Sequence, residues 1–178
     1  AGWIACYGGI AGGADYILVP EKPINLPEVV TSIKKRHARG RDFSIVVVAE
    51  GAKFEEGTDL GELEMLHAGA GHGVDAFGHE RLGGIGEILA RLIEKQTGFE
   101  TRATILGHIQ RGGSPTAWDR VLATRFGVKA TELAHEKKFG RMVALKGGSV
   151  VDVAIEDAIN SLKTLDMEVY KVAQVFFG

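Results

Sequence analysis

Thr104-Ile-Leu-Gly-His-Ile-Gln-Arg-Gly-Gly-Ser-Pro-Thr-Ala-Trp-Asp-Arg120 is the stretch on which the reading of this chain turns. The β-branched run from Thr101 to Leu106 predicts a strand buried on both faces. It stops at Gly107, and His108, Gln110 and Arg111 follow as polar side chains grouped just past a strand end. Gly112, Gly113, Ser114 and Pro115 force a turn. Thr116 then caps a helix expected to run through Ala130 and on toward Ala134. Ligands of open α/β sheets sit beyond the carboxyl ends of strands, on the loops found there. An Arg and a His beside two glycines suit a phosphorylated ligand, since Arg offers a planar fork of donors and glycine lets backbone N–H groups approach the oxygens. The plain alternative is a Gly-Gly turn with a capping Arg.

Working outward, the 178 residues suit one domain with enough chain for a real core. Glycine makes up 25 of them, about double the usual share of roughly 7%, which points to tight turns and close backbone approaches. The formal charge of −2 argues against a nucleic-acid or membrane-surface protein. Cys6 is the single cysteine, which rules out an intrachain disulfide framework and suits a reducing, cytoplasmic setting. No apolar run approaches the roughly 18 residues of a membrane span, and no signal peptide opens the chain.

Along the chain, Trp3, Ile4, Tyr7 and Ile10 have helical spacing, stopped by Gly12-Gly13. Tyr16 to Val19 predicts a short strand closed by Pro20. Asn25 is the expected N-cap of the next helix, with Pro27 and Glu28 in its first turn and Val29, Val30 and Ile33 on its buried side. Lys34, Lys35, Arg36, Arg39 and Arg41 form a basic cluster at its C-terminus, which composition alone assigns to a solvated, dipole-favoured helix end. Phe43 to Ala49 predicts a continuous apolar strand ended by Glu50, a carboxylate suited to accepting hydrogen bonds from sugar hydroxyls. Residues 52–80 read as a long, glycine-rich, charged connection in which Glu62, Leu63, Met65 and Leu66 could make a helical turn or two. His67, His72 and His79 lie there too, but their spacing fits no rigid metal site, and no metal site is expected in the chain. Gly83-Gly84-Ile85-Gly86 does not follow a strand and completes no dinucleotide loop. These glycines are expected to let a helix from Ile85 to Gln96 pack closely, with Ile88, Leu89, Leu92 and Ile93 as its apolar face. A strand at Met142 to Leu145, a short helix at Asp157 to Leu162 and an apolar segment from Tyr170 to Phe177 complete the pattern.

Leu106-Gly-His-Ile-Gln-Arg-Gly-Gly-Ser-Pro-Thr116, followed by Asp119-Arg-Val-Leu-Ala-Thr-Arg125, resembles the 6-phosphofructokinase family, and so long an ungapped stretch is highly specific. Ala11-Gly-Gly-Ala-Asp15 leading into Val19-Pro-Glu21 resembles the family's effector-site helix and strand. Ile45-Val-Val-Val-Ala-Glu-Gly51 resembles the strand whose terminal Glu holds the sugar. The resemblance covers nearly the whole chain but concerns the family's C-terminal half. The nucleotide loops and the catalytic Asp of a Thr-x-Asp-x-Asp run lie upstream in the family. The start at Ala1, without Met and inside a helical pattern, is read as truncation.

The resemblance implies an α/β fold, phosphofructokinase-like, with layered helices around a mostly parallel sheet. It implies a small substrate and effector domain over 1–108, a return to the large nucleotide domain over 109–160 and a small-domain tail over 161–178. The implied reaction is glycolytic phosphoryl transfer from ATP to the 1-hydroxyl of fructose 6-phosphate, with pyrophosphate as the alternative donor and a non-catalytic phosphosugar- or effector-binding module as the alternative class. Magnesium would accompany the donor, both bound mainly by the missing half. No catalytic residue is implied within this chain, and the chain by itself is expected to be inactive. Glu50, Arg102, His108 and Arg111 would bind substrate, with Arg102 reaching the sugar phosphate of a neighbouring subunit in a tetramer or dimer. Asp15 would hold the magnesium of an effector, and Arg39 and Arg41 would bind that effector, a nucleotide or phosphoenolpyruvate. The 52–80 insertion resembles the longer actinobacterial branch, which includes enzymes of both donor types.

Overall fold

A computed structural model describes residues 1–60 and 84–177. The helical turn expected around Glu62 and the three histidines of the insertion lie outside the described residues. The chain divides into two compact units, one of residues 1–105 with 163–178 and one of residues 106–162.

The first unit is built on two short parallel strands, β1 (Tyr16–Leu18) and β2 (Val46–Val48), in register Tyr16 to Val46, Ile17 to Val47 and Leu18 to Val48. Successive residues of a strand face opposite ways, and here both faces are covered. Tyr16, Leu18, Val46 and Val48 join one apolar cluster, and Ile17, Val19, Val47 and Ala49 join the other. The first cluster is filled by α2 (Leu26–Ala38), through Leu26, Val29, Val30 and Ile33, and by α3 (Ile85–Thr97), through Ile85, Ile88, Leu89, Leu92 and Ile93. The apolar stripes expected of both helices are therefore buried. Asn25 caps α2 by accepting from Glu28 N at 2.9 Å, with a proline in the first turn.

The second cluster is filled by α1 (Trp3–Ala11) and α6 (Met167–Gln174). Gly9 lets α1 lie against β1, because a Cβ there would stand 2.6 Å from Ile17 Cδ1. Tyr170 is buried and donates its hydroxyl to the Ile17 carbonyl at 2.9 Å, and desolvation first of all pushes that phenol up to about 12. Gly86 allows the close approach expected of it, with Ile105 Cδ1 3.3 Å from where its Cβ would be.

Glu21 fastens the two sequence-distant parts of this unit. Its Oε1 accepts from Leu165 N at 2.8 Å, and both of its oxygens accept from Gly2 N at 3.1 Å. Trp3 Nε1 donates to the Lys163 carbonyl at 2.9 Å alongside. Burial alone would raise the Glu21 carboxyl, but the backbone N–H groups of Leu165 and Gly2 outweigh it and hold the group below its ordinary range.

The second unit holds α4 (Ala117–His135) and an antiparallel hairpin of β3 (Arg141–Lys146) and β4 (Ser149–Ala154), followed by α5 (Ile155–Ile159). Gly147 and Gly148 form the two-residue turn, both with positive φ as such hairpins require. Arg125 Nη2 ties α4 to that turn through the Gly148 carbonyl at 3.1 Å.

Several expectations are corrected. Residues 101–106 form no strand, and Ile105 and Leu106 are 63% and 57% exposed. A buried strand needs ladder partners on both sides, and each sheet among the described residues ends at two strands that do not include this run. The strand expected over Phe43 to Ala49 shortens to Val46–Val48, with Phe43 73% exposed. The helix after Thr116 continues to His135, and the short helix expected at Asp157 to Leu162 lies at Ile155–Ile159. Strand β4 was not foreseen.

Candidate functional site

The polar residues that follow Leu106 lie in the second unit on a 3-10 turn over Gly107–Arg111. Ile109 N donates to Leu106 O and Gly112 N to Ile109 O, each at 3.0 Å. A 3-10 turn repeats every three residues, so His108 and Arg111 share one edge of it. Both are exposed. Gly113 follows with φ +102, a backbone shape that side chains disfavour, so the second glycine of the pair is required by the turn itself.

Thr116 and Asp119 close a reciprocal capping box at the start of α4. Thr116 Oγ1 accepts from Asp119 N at 3.3 Å, and Asp119 Oδ2 accepts from Thr116 N at 2.8 Å and from the Thr116 hydroxyl at 2.7 Å. The bonds from the Thr116 hydroxyl and then its N–H hold the Asp119 carboxyl below its ordinary range. Much of the motif thus makes a hydrogen-bonded turn and a capped helix, which present one imidazole and one guanidinium to solvent. That pair can donate to a phosphate or sugar oxygen and holds no proton-abstracting carboxylate.

The other expected substrate residues lie in the first unit. Glu50 is exposed at a corner just after β2, where Ala52 N donates back to Ala49 O at 2.9 Å. Arg102 is exposed on the extended segment and is bonded by its own neighbour: Nε and Nη2 reach Glu100 Oε1 at 2.9 and 2.6 Å. Any phosphate taken by Arg102 competes with that local, well-hydrated pair, which costs little to break.

The expected effector residues lie where α2 ends. Arg39 is the C-cap of α2, and Arg41 follows Gly40, whose φ is +79. Asp15 is close to this end of the helix but is already engaged. Its Oδ1 lies 2.6 Å from Arg36 Nη2, and its Oδ2 accepts from Ile45 N at 2.7 Å. A magnesium ion carried by an effector's phosphates asks the protein for one or two open carboxylate oxygens, and here each oxygen of Asp15 already takes a donor. The Asp15 site does not fit the ion that the resemblance implied.

Sequence reading missed Arg36 as a partner of Asp15, since 20 intervening residues hide a contact made only when β1, α2 and β2 assemble. It also missed the fastening by Glu21, which nothing local announces. The Thr116–Asp119 box was half legible: the cap was read, but not its partner three residues on.

The family model described as Phosphofructokinase matches residues 1–134. The chain is 51% identical, over its whole length, to a pyrophosphate–fructose 6-phosphate 1-phosphotransferase of Amycolatopsis mediterranei, of which it covers 50%. It is 48% identical, again over its whole length, to an ATP-dependent 6-phosphofructokinase of Mycobacterium tuberculosis, also covered by 50%. The chain therefore spans about half the length of the curated relatives it matches. Among solved structures, a pyrophosphate-dependent phosphofructokinase of Marinobacter aquaeolei aligns with a TM-score of 0.68 over 94% of this chain and 40% of that one, at 21% identity, a likeness of fold. Phosphofructokinase of Pichia pastoris in the T-state aligns with a TM-score of 0.59 at 26% identity, over 98% of this chain and 16% of that one. With an α/β fold of layered helices and parallel strands, and a family match over most of its length, the chain belongs to the phosphofructokinase family.

Proposed function

We propose that this chain is the substrate- and effector-binding half of a 6-phosphofructokinase, which transfers a phosphoryl group from ATP to the 1-hydroxyl of fructose 6-phosphate in glycolysis. The observation that carries this reading is identity of 44–51% along essentially the whole chain to relatives that bear phosphofructokinase names. Those names divide between ATP and pyrophosphate enzymes, so pyrophosphate is the second donor reading. Parallel assays with the two donors separate them.

In this reading Arg111 and His108 contact fructose 6-phosphate within their own subunit, from the edge of the 3-10 turn. Glu50 accepts hydrogen bonds from sugar hydroxyls, and Arg102 leaves Glu100 to clamp the 6-phosphate of a neighbouring subunit in a tetramer or dimer. Arg39 and Arg41 bind a nucleotide or phosphoenolpyruvate effector. The donor, its magnesium and the base that takes the 1-hydroxyl proton belong to the half of the relatives' length that this chain does not span, so the chain alone turns over no substrate. The working compartment in this reading is the cytoplasm. No helix among the described residues is long and apolar enough to cross a membrane.

Phosphoryl transfer of this kind depends on positioning and electrostatic stabilisation more than on covalent chemistry by the protein. A lost anion contact is therefore felt directly. In the complete enzyme, Arg111→Ala is expected to weaken fructose 6-phosphate binding by about 2 kcal/mol, roughly thirty-fold. A titration that finds the affinity unchanged returns the motif to a simple Gly-Gly turn.

A further inference from the structure

Asp15 is the point where three elements meet. Its carboxylate takes Arg36 Nη2, from the last turn of α2, and Ile45 N, from the entry to β2. Asp15 N donates in turn to Ile45 O at 2.8 Å. Arg36 makes a matching set of bonds on its side. Its Nε donates to Ser44 Oγ at 3.3 Å, and its carbonyl accepts from Arg39 N at 3.1 Å and Arg41 N at 3.2 Å. The ion pair thus joins the two residues that hold the ends of the segment 39–45, Asp15 through Ile45 N and Arg36 through its backbone bonds to Arg39 and Arg41. The Asp15 and Arg36 side chains are only 15% and 19% exposed, so water screens this pair far less than an exposed one.

This arrangement decides what Asp15 can do. A hard divalent cation on this carboxylate would share its two oxygens with a guanidinium at 2.6 Å and a backbone N–H, and would sit beside the positive charge of that guanidinium. We propose that Arg36 withdraws Asp15 from metal coordination and that the pair instead positions the Arg39–Arg41 loop, so that a phosphorylated effector binds there as a metal-free anion. The anion part rests on the effector reading above, whereas the withdrawal of Asp15 rests on the geometry of the pair.

Nuclear magnetic resonance on the labelled chain tests the parts separately. Millimolar Mn2+ is expected to leave the Asp15 and Ile45 signals no broader than those of other exposed turns. Selective broadening centred on Asp15 would overturn the proposal without any variant having to fold. Asp15→Asn and Arg36→Met are each expected to speed exchange of the Ile45 and Arg41 amides at least ten-fold, with the double variant no faster than the faster single. Unchanged exchange, or effects that multiply, would remove the positioning role, and Arg36→Lys, which keeps the charge but not the fork, should fall between. ADP serves as the anion probe and is expected to shift loop signals with equal midpoints with and without Mg2+. A midpoint at least ten-fold lower with Mg2+ would overturn the metal-free mode. No shift at all would overturn the effector reading and the anion part with it, while the exchange data still decide the role of the pair.

Discussion

The two units differ in how much of their own apolar surface they bury. The first has two clusters, one on each side of the β1–β2 pair, with Ile17, Val19, Ile24 and Val29 at 1% exposure or less. In the second, among the described residues, Leu133 is the one buried apolar side chain, while Trp118, Val121, Val128, Phe139, Ile159 and Leu162 are all more than half exposed. The second unit is held instead by hairpin hydrogen bonds, by the capping box, and by polar ties such as Arg141 Nε to Asp152 Oδ2 at 2.8 Å. The Arg141 bond holds the Asp152 carboxyl low, but with the two side chains 37% and 26% exposed water still reaches the pair, which contributes modestly. The comparison separates two uses of sequence. Among the described residues, one unit buries its apolar side chains on its own strands and helices and the other is tied by turn and cap bonds, and the most distinctive motif lies in the less buried of the two.

The sharpest way to break this contrast is to empty each core in turn. Ile24→Ala is expected to cost about 3 kcal/mol, because Ile24 is fully enclosed and its cavity cannot collapse onto solvent. Leu133→Ala, with exposed neighbours on α4, should cost about half as much in urea melts. Equal costs would mean that the second unit has a core of the same quality.

The fastening at Glu21 gives the next effect. Glu21→Ala leaves the N–H groups of Leu165 and Gly2 without their acceptor and is expected to cost about 2 kcal/mol. It should also release the segment after Lys163, which limited proteolysis would report. The pH dependence has a definite sign. The folded carboxyl titrates below its ordinary 4.5, so its stabilisation is complete above that value and is lost as pH falls through the lower, folded one. Wild type should lose stability on acidification below about pH 4.5, and Glu21→Gln should flatten that loss. An acid limb as steep in Glu21→Gln as in wild type would assign it to other carboxylates.

The smallest effect belongs to the second unit. Thr116→Ala removes one side of the capping box and is expected to cost about 1 kcal/mol, read from the helical signal of α4. A cost near zero would show that the start of α4 frays with or without its cap, and the turn bearing His108 and Arg111 would then lack a fixed base.

The same division explains what was legible in the sequence. Periodic apolar positions identified α2 and α3 because those helices bury the stripes that mark them: Val29, Val30 and Ile33 in one, Ile88, Leu89, Leu92 and Ile93 in the other. Cap residues such as Asn25 and Thr116 were legible because their partners lie three residues away. The run at 101–106 misled because β-branched composition reports a wish for burial, not the presence of neighbours that would satisfy it. Strand β4 is announced only by Gly147-Gly148 between two apolar runs, a two-residue hairpin signal. Of the candidate site, His108 and Arg111 are legible as neighbours on one turn. The engagement of Asp15 by Arg36 and of Arg102 by Glu100 is not, since ion pairs follow side-chain reach in the folded state and no local pattern encodes them.

The most direct test of this contrast is amide hydrogen exchange across the whole chain under native conditions. The slowest amides are expected in β1, α2 and α3, with those of α4 exchanging at least a hundred-fold faster despite its 19 residues. Protection of α4 equal to that of α2 would contradict the contrast, and would mean that the unit carrying the Gly107–Arg111 turn is as firmly packed as the one beside it in sequence.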